Sequence, residues 1–220
     1  MKKPLALLPL AALALAACNP PSTPTADPLT LTFTGAGTVT NFAPAKDYSL
    51  TISGDTSKGI VGTLKADKAV SVSITADTAK TLKFFSSQAF YDDLKARNCD
   101  ISKLQVVDVE YAYLSSLDFT TSNGTSSYLE MSTETPNADG TIATKRTTFY
   151  YAKGSGSIKG TASCPNSVAS NYNMVLKPGW NEVSRTNIYN PTTKTSSAIT
   201  FDTVSQKNSY SGQWRAFSRQ

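Results

Sequence analysis

The sequence predicts a mainly β protein: an antiparallel β-sandwich, immunoglobulin-like or related, with one short helix. Three observations point there. Apolar and polar residues alternate with period 2 over short stretches. Turn residues interrupt these stretches about every ten positions. Only one stretch has helical spacing instead.

Each element follows from its residues. Leu29, Leu31 and Phe33 alternate with Thr30, Thr32 and Thr34, and Tyr48, Leu50 and Ile52 with Ser49, Thr51 and Ser53. Ile60–Leu64 and Val70–Ile74 continue the pattern, with Gly54-Asp55, Lys58-Gly59 and Ala66-Asp67-Lys68 as turns. Ser87–Arg97 reads as a helix. Ser86 or Ser87 caps it, Phe90 and Leu94 share a face, and Asn98 ends it. It is expected to plug an open end of the sandwich. Leu104–Leu114 predicts the longest strand, with Val107, Val109, Tyr111 and Tyr113 on one face and Asp108 and Glu110 on the other.

Asn123-Gly124 signals a hairpin turn, with Tyr128–Ser132 as the returning strand. Asp139-Gly140 is the next turn and Thr147–Ala152 the next strand. Gly154–Ser157 is a flexible turn into Ile158–Cys164. Lys177-Pro178-Gly179-Trp180 places Pro and Gly at the middle positions of a type II turn. That predicts a hairpin of Asn171–Leu176 with Asn181–Ile188. After a break at Asn190-Pro191, Ala198–Val204 and Ser209–Phe217 supply the last strands.

The first 28 residues do not belong to this pattern. Lys2 and Lys3 precede an apolar run, Pro4–Ala14, that is too short to span a bilayer. Leu15-Ala16-Ala17-Cys18 follows. This resembles the bacterial lipoprotein signal, whose lipobox ends in a cysteine. The resemblance implies cleavage before Cys18 and a diacylglycerol on its thiol. Two or more acyl chains hold a protein stably at a membrane, each buried CH₂ contributing about 0.8 kcal/mol. Asn19, in place of Asp, favours an outer membrane. Asn19–Pro28 is rich in proline and suits an extended tether. The expected organisation is therefore a signal peptide over 1–17, a lipidated Cys18 and tether over 18–28, and one β domain over 29–220. The expected location is the bacterial cell envelope, facing the periplasm or the exterior.

Export bears on the other cysteines. Cys99 and Cys164 are most simply a disulfide, with a metal pair as the alternative. Charge says little about partners. The formal +5 falls to +3 once Lys2 and Lys3 leave with the leader, and no run of like charge argues for nucleic acid. The chain also resembles a group of uncharacterised β-rich bacterial envelope lipoproteins. "GTVTNF", "GTLKAD", "FYYAKGSGSIKGTASC" and "YNMVLKPGWNEV" carry the likeness, Gly179-Trp180-Asn181 most distinctively. It implies a sandwich-like module and no activity.

Catalytic sets are scarce. The sequence contains no histidine, which removes Ser-His-Asp and Cys-His catalysis and the usual zinc sets. Asp108 and Glu110 read as a solvated face rather than a carboxylate pair, and Asn137–Gly140 as a turn rather than a calcium loop. No catalytic residue, metal or cofactor is expected. Tyr111, Tyr113, Tyr128, Tyr150, Tyr151, Trp180 and Trp214 are candidates for a stacking platform, and packing explains the same residues without a ligand. The expectation is a lipid-anchored, non-enzymatic envelope protein with a structural or protein-interaction role. The alternative is a module that binds carbohydrate or peptide on an exposed aromatic face. Its partners would be the membrane, through Cys18, and an envelope protein or glycan.

Overall fold

Along Tyr48–Ile52 the chain buries Tyr48, Leu50 and Ile52 and turns Ser49 outward, as the alternation predicts. The computed structural model describes residues 32–54 and 56–219. The signal peptide, Cys18, the tether and Leu29–Leu31 lie outside the described residues.

The chain is mainly β, with sixteen strands and two helices among the described residues. The first part runs β1 (Phe33–Val39), β2 (Tyr48–Ile52), β3 (Ile60–Leu64), β4 (Ala69–Ile74), α1 (Ala76–Lys80), β5 (Phe85–Ser86) and α2 (Ser87–Ala96). Next come β6 (Gln105–Val107), β7 (Glu110–Leu114), β8 (Ser116–Thr120), β9 (Ser126–Pro136) and β10 (Ile142–Ala152). The last are β11 (Gly156–Ala162), β12 (Ser170–Leu176), β13 (Gly179–Asn190), β14 (Thr195–Ser196), β15 (Ile199–Gln206) and β16 (Ser209–Ser218). Neither helix is long and apolar enough to cross a membrane.

Seven strands close into a barrel in the order β1-β4-β3-β2-β8-β9-β16, and β16 returns to β1. All its pairs are antiparallel except β1–β16. Seven strands leave an interior that side chains can fill. Phe33, Leu50, Leu64, Ile74, Leu117, Leu129, Met131 and Trp214 fill it. The closing seam is tight. Gly37 faces Gly212 across it at φ +140, and a Cβ on Gly37 would stand 1.9 Å from the Gly212 carbonyl oxygen. Trp214 lies over this seam and donates from Nε1 to the Ala36 carbonyl at 3.2 Å. Only glycine permits that backbone conformation and that approach together.

The second sheet grows from the barrel through β9. Its far half, Ser132–Pro136, pairs with β10, and the order continues β10-β13-β15-β12-β11-β6. β7 pairs with the other half of β10, and β5 with β7. The sheet has two apolar faces. Phe149, Tyr151 and Trp180 join the barrel's core, where the Phe33 ring centroid lies 4.6 Å from that of Phe149 and 5.3 Å from that of Trp180. Ala152, Ile158, Met174, Leu176 and Val183 form a second core with Leu94 of α2.

Four expectations need correction. The β domain is not a plain sandwich: β16 pairs with both β1 and β9, so the first sheet has no free edge. Alternation is the same in a sandwich and a barrel, and only the distant β1–β16 pairing decides. The helix forms where expected, capped by Ser86, but it covers the outer face of the second sheet rather than an open end. Leu104–Leu114 is not one strand: it breaks between β6 and β7, whose partners are β11 in the first case and β10 and β5 in the second. Finally, β12 and β13 do not form a hairpin. β15 inserts between them, parallel to β12 and antiparallel to β13. The turn itself is as expected, with Gly179 at φ +93. The Asn181 side chain holds it, donating to the Lys177 carbonyl at 2.7 Å and the Gly179 carbonyl at 2.8 Å and accepting from the Lys177 amide.

Cys99 and Cys164 form a disulfide across a separation of 65 residues. Beside it, Asp100 and Ser163 exchange backbone hydrogen bonds of 2.7 and 2.9 Å. The bridge ties the end of α2 to the end of β11. Replacing both cysteines with serine is expected to lower stability by about 2–4 kcal/mol, from the loop it closes. Urea unfolding of the full chain measures this, and an unchanged midpoint would mean the bridge constrains nothing.

Candidate functional site

The site begins with the docking of α2. Ser86 caps the helix, its Oγ accepting from the amides of Gln88 and Ala89. Asp108 reaches the same end and accepts from Ser86 Oγ at 2.8 Å, the Gln88 amide at 2.9 Å and Ser87 Oγ at 3.1 Å. A carboxylate at a helix N-terminus is favoured by the dipole and by the unpaired amides. Ser87 is fully buried and completes the joint. Its amide donates to the Val109 carbonyl at 3.0 Å, and its hydroxyl accepts from the Val109 amide at 2.9 Å. The Ser87 bonds occupy both backbone groups of Val109, where the expected long strand breaks.

The break sets Phe85 opposite Tyr111 and Ser86 opposite Glu110. Phe85 stacks on Tyr113 with centroids 5.4 Å apart. Tyr150 lies behind, 6.0 Å from Tyr113 and 5.2 Å from Tyr111. Tyr113 is 45% exposed and Phe85 37%, so the stacked pair faces solvent. Beside it runs a groove of about 390 Å³ lined by Phe85, Ala89, Phe90, Asp93, Tyr111 and Tyr113. Burial, followed by the neighbouring Tyr113 and Tyr172, pushes the Tyr111 phenol up to about 12. Burial also raises Tyr150. Both stay neutral at pH 7 and present hydroxyls, not charge.

The proposed platform residues therefore divide. Tyr111 and Tyr113 line this groove, and Tyr150 packs behind them against the second core. Trp180, Trp214 and Tyr151 are buried in the barrel's core. Tyr128 stacks on Phe217 at 5.4 Å elsewhere, on the barrel's outer wall. Phe85 was absent from the expected set. Its only signal is its place just before the capping serine, where a helix entry holds it against the neighbouring strand.

A larger concavity of about 470 Å³ lies at the barrel mouth, between Asn41, Phe42, Tyr48, Phe119 and Ser122. Its rings pack on one another, Phe119 lying 5.6 Å from both Phe42 and Tyr48. Tyr48 and Phe119 are only 6% and 4% exposed.

The acidic candidates are engaged elsewhere. Asp108 caps α2, and Glu110 pairs with Lys153 at 2.8 Å. Asp139 closes its turn by accepting from the Thr141 amide and hydroxyl. Among the described residues, no three of Cys, Asp or Glu gather as a metal site.

No protein-family model matches the chain, nor does any curated protein or solved structure. The geometry therefore carries the functional reading by itself.

The joint under the groove has a pH signature. The Gln88 amide, with the Ser86 hydroxyl next, holds the Asp108 carboxyl below the usual aspartate range. Asp108→Asn is expected to cost about 0.5–1 kcal/mol at pH 7, the low end of capping values because solvent screens this carboxylate. A carboxyl held low when folded contributes stability above its unfolded pKa of about 3.9, lost as pH falls through the folded value. Urea unfolding at neutral pH and at about pH 3 checks this. A difference between the two proteins that does not narrow in acid would assign the cap to some other group.

Proposed function

We propose that this chain is a non-enzymatic protein of the bacterial cell envelope, held at a membrane by lipid on Cys18, that binds carbohydrate at the aromatic groove. The exposed Phe85–Tyr113 stack carries the ligand-binding part of this reading. An aromatic pair left open to water loses hydration favourably when an apolar ring face covers it. The CH-rich face of a sugar is such a surface. Asp93 and the side chains of Tyr111 and Tyr113 border the groove and supply hydrogen-bonding groups for hydroxyls. The leader and lipobox supply the anchor, and the Pro-rich segment the reach.

The end of the second sheet favours protein interaction as a second reading. β6 ends the strand order, and its Val107 is 60% exposed. An open strand edge accepts a strand from a partner. Crosslinking in intact envelopes separates the two readings. Recovery of one defined protein at β6 supports the second, and recovery of glycan at the groove supports the first.

Two further outcomes are expected. Phe85→Ala and Tyr113→Ala should each weaken binding to envelope polysaccharide about tenfold, by loss of the stacking surface, with the melting temperature unchanged. Co-sedimentation with isolated polysaccharide measures this, and equal binding by wild type and both variants would sink the groove reading. Cys18→Ala should move the protein from the membrane fraction to the soluble fraction. Unchanged membrane retention would refute the lipid anchor.

A further inference from the structure

Where the barrel wall meets the second sheet, charged side chains sit half-buried on neighbouring strands. The register aligns Ser132 of β9, Arg146 of β10 and Arg185 of β13 in one row. Glu130 of β9 faces Arg215 of β16. Arg146 pairs with Glu130 at 2.7 Å, and the Glu130 side chain is only 7% exposed. Arg215 pairs with Glu134. Arg185 has no carboxylate at ion-pair distance among the described residues. Its guanidinium lies 6.0 Å from the centroid of Phe201, which stacks on Tyr172 at 4.9 Å with the planes 9° apart.

A half-buried guanidinium with no ion pair of its own, beside a second guanidinium that already holds Glu130, is poorly compensated in the isolated fold. Burial and then Arg146 both pull the Arg185 proton affinity down. The polar atoms around it add to this. Ser132 Oγ, Arg146 Nε and Asn187 Oδ1 are buried with no hydrogen-bond partner among the described residues, and Ser132 is only 3% exposed. Ser132 faces Arg146 directly, and Asn187 lies two residues along β13 from Arg185, on the same face. Folded proteins leave few such atoms, and here three share one spot with a fourth, Glu130 Oε2, whose contact is its ion pair with Arg146.

We propose that Arg185 and Arg146, with Ser132, form a binding site for the carboxylate of a small acidic sugar, whose ring lies against Phe201 and Tyr172. Charge selects the carboxylate. Arg146, Arg185 and Arg215 face Glu130 and Glu134, which leaves one positive charge for a monoanion to neutralise, whereas a phosphate dianion exceeds it. The planar guanidinium fork matches a planar carboxylate in two parallel hydrogen bonds. Ser132 Oγ supplies a further donor. The stacked Phe201 and Tyr172 rings, with Phe90 against Tyr172, give the sugar an apolar edge beside the guanidinium. The site has its own aromatic pair and does not depend on the Phe85–Tyr113 groove.

Calorimetric titration of the full chain with sodium glucuronate tests this, with glucose and inorganic phosphate at matched ionic strength as comparators. Saturable glucuronate binding is expected, with none for glucose and weaker binding for phosphate. Arg185→Gln should weaken glucuronate binding about tenfold or more and leave the melting temperature unchanged, because Arg185 has no ion partner in the fold to lose. Ser132→Ala should weaken binding to a lesser degree, again without destabilising. Tyr113→Ala should bind glucuronate as wild type does. No saturable binding up to about 10 mM overturns the site, as does phosphate binding as tightly as glucuronate. An Arg185→Gln protein that melts earlier yet binds as wild type makes the residue structural and overturns it too.

Discussion

The architecture depends on one seam, the parallel pairing of β1 with β16. Without it the first sheet is an open ribbon with two free edges. With it, seven strands enclose Phe33, Leu50, Leu129, Met131 and Trp214. The seam tolerates no side chain at Gly37, where the Gly212 carbonyl already stands. Trp214 covers this thin wall from inside and spends its one polar hydrogen on the Ala36 carbonyl. A buried tryptophan contributes on the order of 3 kcal/mol, so the residue that covers the seam also helps hold it shut.

The barrel in turn supports the second sheet. Phe149, Tyr151 and Trp180 join its core and fix β10 and β13. The opposite face is then free to carry α2, and the aromatic groove arises where helix and strand meet. The groove is a consequence of a capping event. Asp108 leaves its strand to serve the helix, the strand breaks, and β5 takes up the pairing at Tyr111 and Glu110. Local electrostatics at a helix end thus decides which aromatic rings face water.

Much of this was legible in the residues. The period-2 runs, the Ser86 cap, the positive-φ turns at Gly124 and Gly140, and the cysteine pair all appear where their local chemistry places them. What stayed hidden has a common cause: pairings between residues far apart in the chain. Thr34 pairs with Ser209, and nothing near either residue announces it. Alternation shows which side chains point inward but not which strands are neighbours. Similarly, the row Ser132–Arg146–Arg185 exists only once β9, β10 and β13 lie side by side. In sequence these residues are isolated polar positions within strands. The aromatic candidates divided for the same reason. Tyr150 and Tyr151 are adjacent in sequence, yet they pack against the second core and the barrel's core respectively, and composition cannot separate them.

The insertion of β15 bears on how the chain reaches this state. β12 and β13 are joined by a tight Pro-Gly turn, the local signal for pairing with each other, yet in the native sheet they lie apart with β15 between them. The nearest contact in the chain is thus a decoy. Asn181 lessens this conflict. By bonding the carbonyls of Lys177 and Gly179, it keeps the turn intact while the strands on either side part. The tripeptide Gly179-Trp180-Asn181 therefore makes a self-contained corner, whose geometry is set by Gly179 and Asn181 and does not depend on the strands it joins pairing with each other.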